Sequence, residues 1–181
     1  MKKLFLICMF LLSIAASSYA NDSIPAVDNS RKIVFAWGAD VGASIDMTGS
    51  DMSDVNFCAY FGMKRGWINF VGIGAEADIV TSNSCRSYDL FASLHTNFVN
   101  RPTLFFWPVR VGVALNYLEH NHQQTGLYAS TGLGINLARG KSYCSYMTIG
   151  YTYRQRSTVI GELTHNFKDL HYATVKIGVS F

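Results

Sequence analysis

The sequence lacks any apolar segment long enough to cross a bilayer as a helix. Its longest apolar run, residues 4–14, has eleven residues, whereas a spanning helix needs about 20. After residue 20 no stretch approaches that length. If this chain is a membrane protein, it has to close into a β-barrel, since only closure pairs every backbone polar group in lipid.

The sequence also has few cysteines and a small net charge. Beyond residue 20 there are three cysteines, Cys58, Cys85 and Cys144, and this odd number does not predict a disulfide framework. Without Lys2 and Lys3, 13 basic residues stand against 12 acidic ones. The charge balance gives no extended basic surface, so we expect no nucleic-acid partner.

The first twenty residues have the features of a secretory signal peptide. Two lysines follow the first methionine, an apolar core spans residues 4–14, and a small-x-small cleavage site ends at Ala20. We predict a cleaved signal peptide over residues 1–20, a periplasmic lead-in over residues 21–32 and one folded domain over residues 33–181.

Residues 33–181 alternate apolar and polar side chains with a period of two, interrupted at fairly even intervals by turn-forming residues. This pattern predicts β-strands rather than helices. Eight strands are predicted, at residues 33–47, 54–64, 67–80, 87–98, 104–117, 125–138, 142–155 and 169–181.

The predicted connections alternate in character. Those after strands two, four and six are compact and basic, whereas the other four are polar and more variable, the longest lying at residues 156–168. Transmembrane barrels have short periplasmic turns and longer external loops. We therefore predict a closed, antiparallel, up-and-down barrel with both termini in the periplasm and four external loops.

Each predicted strand has one apolar and one polar face. In the first strand Trp37 and Val41 share one face, and Gly38 and Asp40 share the other. A water-soluble ligand-binding barrel such as a lipocalin would turn the apolar face inward. Ten strand glycines fall on the polar face, and an eight-stranded barrel has room inside only for packed side chains. We therefore expect a polar interior and an apolar exterior that faces lipid.

Aromatic residues lie near the ends of the predicted strands, where amphipathic rings favour the two membrane interfaces. We assign Trp67, Phe98, Trp107 and Phe181 to the periplasmic rim, and Tyr88, Tyr117 and Tyr153 to the outer rim.

The C-terminal segment, residues 173–181, has an apolar residue at every second position and ends on Phe181. It resembles the strand by which the barrel-assembly machinery recognises outer-membrane proteins, with Val175, Ile177, Val179 and Phe181 as the apolar positions. With the signal peptide and eight strands, the chain is similar to the small OmpA/OmpX-type barrels. The resemblance implies a monomer in the outer membrane of a Gram-negative bacterium, in contact with lipids and lipopolysaccharide. It brings no catalytic motif.

The expected interior carries ten ionisable side chains. Charges in so narrow a barrel are costly unless they pair, so we expect a salt-bridged plug that holds little water. The alternative is a narrow polar channel or proton path, because charges within a membrane often mark such pathways. The set comprises Asp40, Asp46, Asp54, Glu76, Asp78, Asp89, His95, Arg110, Arg154 and Lys176.

No plausible catalytic pair emerges from the sequence. A lipid-modifying enzyme needs a nucleophile and a base within hydrogen-bond reach at the lipid-facing rim. We expect His171 near the external rim and Ser145 near the opposite one. Glu162, Thr164 and His165 fall in the last loop. We therefore expect no enzyme and no cofactor.

The remaining metal-binding and thiol candidates are weak. His120 and His122 lie together on an external loop, but two histidines without a further ligand do not make a metal site. Cys58 and Cys144 are expected to point inward as small filler, at heights too different for a disulfide. Cys85 is expected in an external loop, where its thiol would be reactive.

Pro108 is the one local contradiction within a predicted strand. Because proline has no N–H to donate to the ladder, we predict a β-bulge there, and the facing of residues 104–107 is left open.

The leading hypothesis is a non-enzymatic outer-membrane barrel that contributes to envelope integrity or surface interaction through its external loops, with an external protein or host partner left open. The alternatives are a narrow pore and a lipid-A-modifying enzyme. Conductance altered by Arg110→Ala would favour the pore. Hydrolysis or acyl transfer on lipid A that depends on His171 or His165 would favour the enzyme.

Overall fold

The computed structural model describes residues 33–65, 68–81, 85–98, 104–117, 123–140, 142–155 and 169–181. Each strand begins and ends within two residues of its predicted position. Within these ranges no helix has the length and apolarity needed to cross a bilayer. The strands are β1 (Val34–Asp46), β2 (Asp54–Arg65), β3 (Ile68–Val80), β4 (Arg86–Asn97), β5 (Phe105–Tyr117), β6 (Gln123–Arg139), β7 (Cys144–Arg154) and β8 (Leu170–Ser180).

Several predictions lie outside the described residues and stay predictions. They concern the signal peptide and lead-in at residues 1–32, Trp67, the histidine pair His120 and His122, and the connection at residues 156–168 with Glu162, Thr164 and His165.

The eight strands form one closed antiparallel barrel. Each strand pairs with the next along the chain, and β8 returns to β1, with Gly38 opposite Ser180 and Asp46 opposite Tyr172. This confirms the predicted all-β, up-and-down barrel, in which closure leaves no free sheet edge. We call the rim near Val34 and Ser180 the lower rim, and the rim near Asp46 and Leu170 the upper rim.

Side chains alternate between the two faces of the barrel wall along most of each strand. Leu90 in the middle of β4 is 53% exposed, whereas the adjacent Phe91 is 4% exposed. In β1, Trp37 is exposed and Asp40 is buried, as predicted. The apolar face is the outer one, so the lipocalin-like alternative, which needs an apolar interior, is wrong.

Pro108 lies in β5 without a bulge, contrary to the prediction. β5 keeps one register against β4, with His95 opposite Pro108, and the same register against β6 on both sides of the proline. A missing N–H removes a ladder bond without requiring an extra residue. Phe106 therefore points inward and Trp107 outward, as simple alternation gives. Register shifts occur instead near the lower rim, between Met63 and Arg65, Ile68 and Phe70, and Asn136 and Ala138.

Four inward glycines lie beneath the aromatic ring directly opposite on the neighbouring strand. A Cβ added to Gly74 would lie 2.7 Å from Cζ of Phe91, so the absent side chain leaves the space that the ring fills. Such rings also shield the backbone of a strand glycine. The interior thus holds large rings as well as the small residues that the sequence predicted there. The four pairs are Gly38 with Tyr60, Gly74 with Phe91, Gly134 with Phe106, and Gly178 with Tyr146.

Candidate functional site: the barrel interior

The upper ion-pair group is built around Arg154 of β7. Its guanidinium contacts carboxylates from three strands, Asp89 at 2.5 Å, Asp78 at 2.8 Å and Asp54 at 3.5 Å. The Tyr172 ring lies 5.4 Å from the guanidinium carbon. All four charged side chains are buried. One cation therefore ties β7 to β2, β3 and β4 across the interior.

The lower ion-pair group is built around Glu76 of β3. Lys176 donates to Glu76 at 2.5 Å, and Arg110 bridges Glu76 at 3.3 Å and Asp40 at 2.5 Å. The Tyr128 hydroxyl donates a further hydrogen bond to Glu76 at 3.3 Å. Charge-assisted contacts of this kind are what make buried charges tolerable in a medium of low dielectric constant.

Aromatic rings lie against both ion-pair groups. Phe91 lies 5.1 Å from the Arg110 guanidinium carbon and 5.8 Å from the Tyr128 ring, centroid to centroid. Tyr128 in turn lies 5.9 Å from the Arg154 guanidinium carbon. These cation–π contacts add attraction for the arginines, and the two rings connect Arg110 to Arg154.

Below the ion-pair groups the interior is aromatic, and His95 belongs to this layer. Its imidazole lies 5.3 Å from the Phe106 ring and 5.4 Å from the Phe70 ring, and it shares a 3.2 Å hydrogen bond with Ser93. The structure therefore places His95 among rings and apart from the ion pairs. The Tyr146 hydroxyl links this layer to the lower group by donating to Asp40 at 2.8 Å.

Above the ion-pair groups, apolar side chains close the upper rim from within. Cys85, expected in an external loop with a reactive thiol, lies in the connection just before β4 but is buried there at 7% exposure, which leaves the thiol little access to solvent. It precedes β4 on the inward side and packs as a small hydrophobe. This upper plug comprises Met52, Val80, Cys85, Leu170 and Tyr172.

The described part of the interior is therefore a stack of packed layers. The layers, from top to bottom, are the apolar upper plug, the Arg154 group, the Glu76 group and the aromatic layer around His95. A small cavity between Arg110, Lys176 and Gly132 has a volume of about 20 Å³, room for roughly one water molecule.

Asp46 lies apart from both ion-pair groups. Its carboxylate accepts hydrogen bonds from the backbone N–H of Thr48 at 2.7 Å, of Ser50 at 2.7 Å and of Met52 at 3.3 Å. Asp46 thus holds the β1–β2 connection in shape. Asp54, another of the ten ionisable side chains expected in the interior, does belong to the Arg154 group.

The described cysteines are free thiols. Cys58 lies in the interior with its sulfur 3.6 Å from an Arg110 nitrogen, and Cys144 donates to the Asn136 side chain at 3.2 Å near the lower rim. The two thiols therefore lie in different layers, and neither is disulfide-bonded.

On the outer surface, His171 near the upper rim contacts tyrosines of β7. Its ring shares a hydrogen bond with the Tyr151 hydroxyl and lies 5.5 Å from the Tyr153 ring, whose hydroxyl donates to Asp169 at 2.8 Å. His171 is opposite Tyr153, whereas Ser145 is opposite Val179. Eight residues along β7 separate the two levels, about 26 Å, so Ser145 and His171 do not form a catalytic pair.

Exposed aromatic residues gather at both rims. At the lower rim Trp37 and Phe181 stack with ring centroids 4.4 Å apart, and at the upper rim Tyr88 and Tyr117 meet edge to face at 5.7 Å. Phe98, Trp107 and Phe181 of the predicted lower set are exposed. Amphipathic and aromatic rings at two levels are typical of a membrane barrel.

The last strand presents the predicted pattern. Val175 and Phe181 are exposed on the outer face, and Ile177 and Val179 share that face, whereas Lys176 is buried inside. Phe181 also pairs with Trp37 through two backbone hydrogen bonds.

Comparison with known proteins gives a likeness in fold. No protein-family model matches the chain, and no curated protein matches it. Among solved structures it is similar to the crystal structure of Neisserial surface protein A (NspA), with 16% identity, a TM-score of 0.48, and coverage of 82% of this chain and 95% of that one. It is also similar to the N-terminal β-barrel domain of Pseudomonas aeruginosa OprF, with 11% identity, a TM-score of 0.49, and coverage of 81% and 97%. Likeness at this level says nothing about activity, so the proposals below rest on the chain's own residues.

Of the inward aromatic residues, only Tyr60 was placed on the polar, inward face from the sequence. The signal was present, because Phe91 lies between the outward Leu90 and Ala92 and therefore shares the face of Asp89 and Ser93. Alternation alone would have placed it inside. The grouping of the charges around two different centres depends on contacts between distant strands and had no local signal.

Proposed function

We propose that the protein is an integral outer-membrane β-barrel without catalytic activity, which contributes to envelope integrity or surface interaction through its external loops. The observation that carries this proposal is the distribution of polarity. Exposed apolar side chains cover the outer face of the wall, while five carboxylates and three cations are buried inside among the described residues. Water would reverse that arrangement, whereas lipid favours it.

The dimensions of the strands support a membrane position. Each strand has 11 to 17 residues, and a tilted strand needs about 9–11 residues to cross the hydrocarbon. An exposed apolar surface that surrounds a whole barrel greatly exceeds the patches of a few hundred Å² found on soluble monomers. Lipids and lipopolysaccharide are therefore the expected contacts of this surface.

Export and assembly are part of this proposal. The predicted signal peptide at residues 1–20 would deliver the chain to the periplasm. The outward residues Val175, Ile177, Val179 and Phe181 would present the C-terminal strand to the barrel-assembly machinery. We propose the outer membrane of a Gram-negative bacterium as the final location, with the upper rim outside and the protein a monomer.

The test of this location uses the full chain expressed in a Gram-negative host. We expect the protein in the outer-membrane fraction, with a strand-rich circular dichroism spectrum in detergent and faster gel mobility before boiling than after. Recovery in the soluble fraction, without a mobility shift, would contradict the membrane assignment.

The packed interior favours a closed barrel over a pore. The upper plug and the aromatic layer lie on either side of the ion pairs, so we expect no steady conductance in planar bilayers. Steady single-channel currents that Arg110→Ala alters would overturn this part of the proposal and favour the narrow pore.

The loops are the proposed site of action. Replacing residues 156–168 with a short glycine-serine turn is expected to preserve the gel-mobility shift but to abolish rescue of a deletion strain exposed to detergent. Full rescue by the shortened protein would contradict a role for this loop.

A further inference from the structure

Buried negative charge exceeds buried positive charge inside the barrel. Among the described residues, the buried carboxylates are Asp40, Asp54, Glu76, Asp78 and Asp89, and the buried cations are Arg110, Arg154 and Lys176. With all eight ionised, two negative charges are left uncompensated. Uncompensated charge in a medium of low dielectric constant is strongly unfavourable, so some further positive charge has to accompany the folded barrel.

The excess is concentrated where the two ion-pair groups meet. Glu76 of the lower group lies directly opposite Asp89 of the upper group on the β3–β4 ladder, and like charges in that position repel. Asp78 follows Glu76 on the same face. One oxygen from each of Glu76, Asp78 and Asp89 lies within 4.8 Å of the other two.

An unpartnered oxygen in this cluster gives independent support for a ligand. Asp78 is 2% exposed, and its Oδ2 binds Arg154. Among the described residues its Oδ1 has no hydrogen-bond partner although it is shielded from solvent. Buried carboxylate oxygens without a donor are rare, and each calls for an unseen water or ion. A cation is the partner that also removes the charge excess.

The spacing suits a calcium-sized ion. Three oxygens at most 4.8 Å apart surround a centre that lies no more than about 2.8 Å from each, a limit that includes the 2.3–2.6 Å of Ca²⁺–oxygen bonds. The donors are all oxygens, which hard cations prefer over the softer transition metals. We propose that Glu76, Asp78 and Asp89 bind one divalent cation, of the Ca²⁺ class, between the two ion-pair groups inside the barrel.

The test uses Tb³⁺, which binds at Ca²⁺ sites and luminesces when a nearby tyrosine transfers excitation energy. Tyr128 is a suitable donor because its hydroxyl lies 3.3 Å from Glu76. The full-length protein, extracted from host membranes, is unfolded in urea and refolded in detergent with Tb³⁺, and free metal is then removed. We expect one retained ion per barrel, displaced by refolding with excess Ca²⁺. Tyr128→Phe should lower luminescence while leaving the bound metal unchanged.

The matched variants are Asp78→Asn within the cluster and Asp46→Asn outside it. Asp78→Asn should weaken binding at least tenfold, and Asp46→Asn should bind as the parent does. Gel mobility before boiling verifies folding, and Asp89→Asn replaces Asp78→Asn if the latter does not fold. No retained ion, or equal binding by the cluster variant and the parent, would overturn the proposal and leave protons as the neutralising charge.

Discussion

At the scale of single residues, buried arginines hold strands together that are far apart in the sequence. Arg154 contacts three carboxylates that have few other donors: Ser87 donates to Asp89 at 3.1 Å, and Asn56 donates to Asp54 at 3.3 Å. Removing such a cation leaves its partners both buried and unpaired. Removing one member of a buried ion pair therefore costs more free energy of folding than the intact pair contributes.

Arg154→Met should lower the stability of the barrel by about 3–5 kcal/mol, the cost of leaving buried charges uncompensated. The measurement is the urea midpoint at which the compact gel form disappears. Arg86→Met is the matched control, because Arg86 is an exposed arginine at the beginning of β4. Equal midpoints for the two variants would show that the Arg154 contacts do not stabilise the fold.

Gly134 should be intolerant of a side chain for a reason specific to its position. A Cβ there would overlap the Phe106 ring, so Gly134→Val should cost roughly 1–3 kcal/mol through overpacking. Ala129→Val adds two of the three carbons that Gly134→Val adds, on the outward face of the same strand, and should change the urea midpoint little. A larger loss in Ala129→Val than in Gly134→Val would reverse the assignment of faces.

At the scale of strands, the β1–β8 seam is where the barrel closes. Trp37 and Phe181 stack across it, exchange two backbone hydrogen bonds, and lie near Lys64, which donates to the Phe181 carbonyl at 3.2 Å. These contacts join the first and last strands. They should contribute more to the stability of the barrel than an ordinary pair of outward rings does.

A double-mutant cycle on Trp37→Ala and Phe181→Ala should give a coupling of about 0.5–1.5 kcal/mol, the usual value for an aromatic pair. The cycle is measured as unfolding free energies in detergent. Because Trp37 and Tyr117 lie at opposite rims, a cycle on Trp37→Ala and Tyr117→Ala serves as the uncoupled control. Additive effects for Trp37 and Phe181 would mean that the stacking does not contribute to closure.

The strands were predictable from the sequence because a period of two, broken by turn residues, is a local signal. The facing of β4 follows from the polar residues Asp89, Ser93 and His95, which alternate with the apolar Leu90, Ala92 and Leu94. The bulge at Pro108 was wrong because a single missing N–H does not require an extra residue, and only the register of two neighbouring strands reveals this. The burial of Cys85 was not predictable from the sequence, because Met52 and Leu170 of the plug that buries it are distant in sequence.

For the candidate site, sequence alternation supplied the list of inward charges but not their grouping. Arg154 meets Asp54 across 100 positions of sequence, and Lys176 meets Glu76 across the same separation. His95 could not be separated from the ion pairs by local pattern, because Phe70, Phe106 and Tyr146 reach it from three other strands.

At the scale of the whole molecule, an outer-membrane role requires that the apolar face of the wall meets lipid. Adjacent residues at the same depth test this most directly. Leu90 points outward and Phe91 inward at the middle of β4. Single tryptophans at these positions, in a background where the three native tryptophans are phenylalanine, report the surroundings of each face.

The decisive measurement is quenching of tryptophan fluorescence by brominated lipid after refolding into vesicles. Leu90→Trp should be strongly quenched, and Phe91→Trp should be quenched much less, because the barrel wall separates its ring from the acyl chains. Equal quenching, or stronger quenching of Phe91→Trp, would contradict a polar interior within a lipid-facing apolar wall.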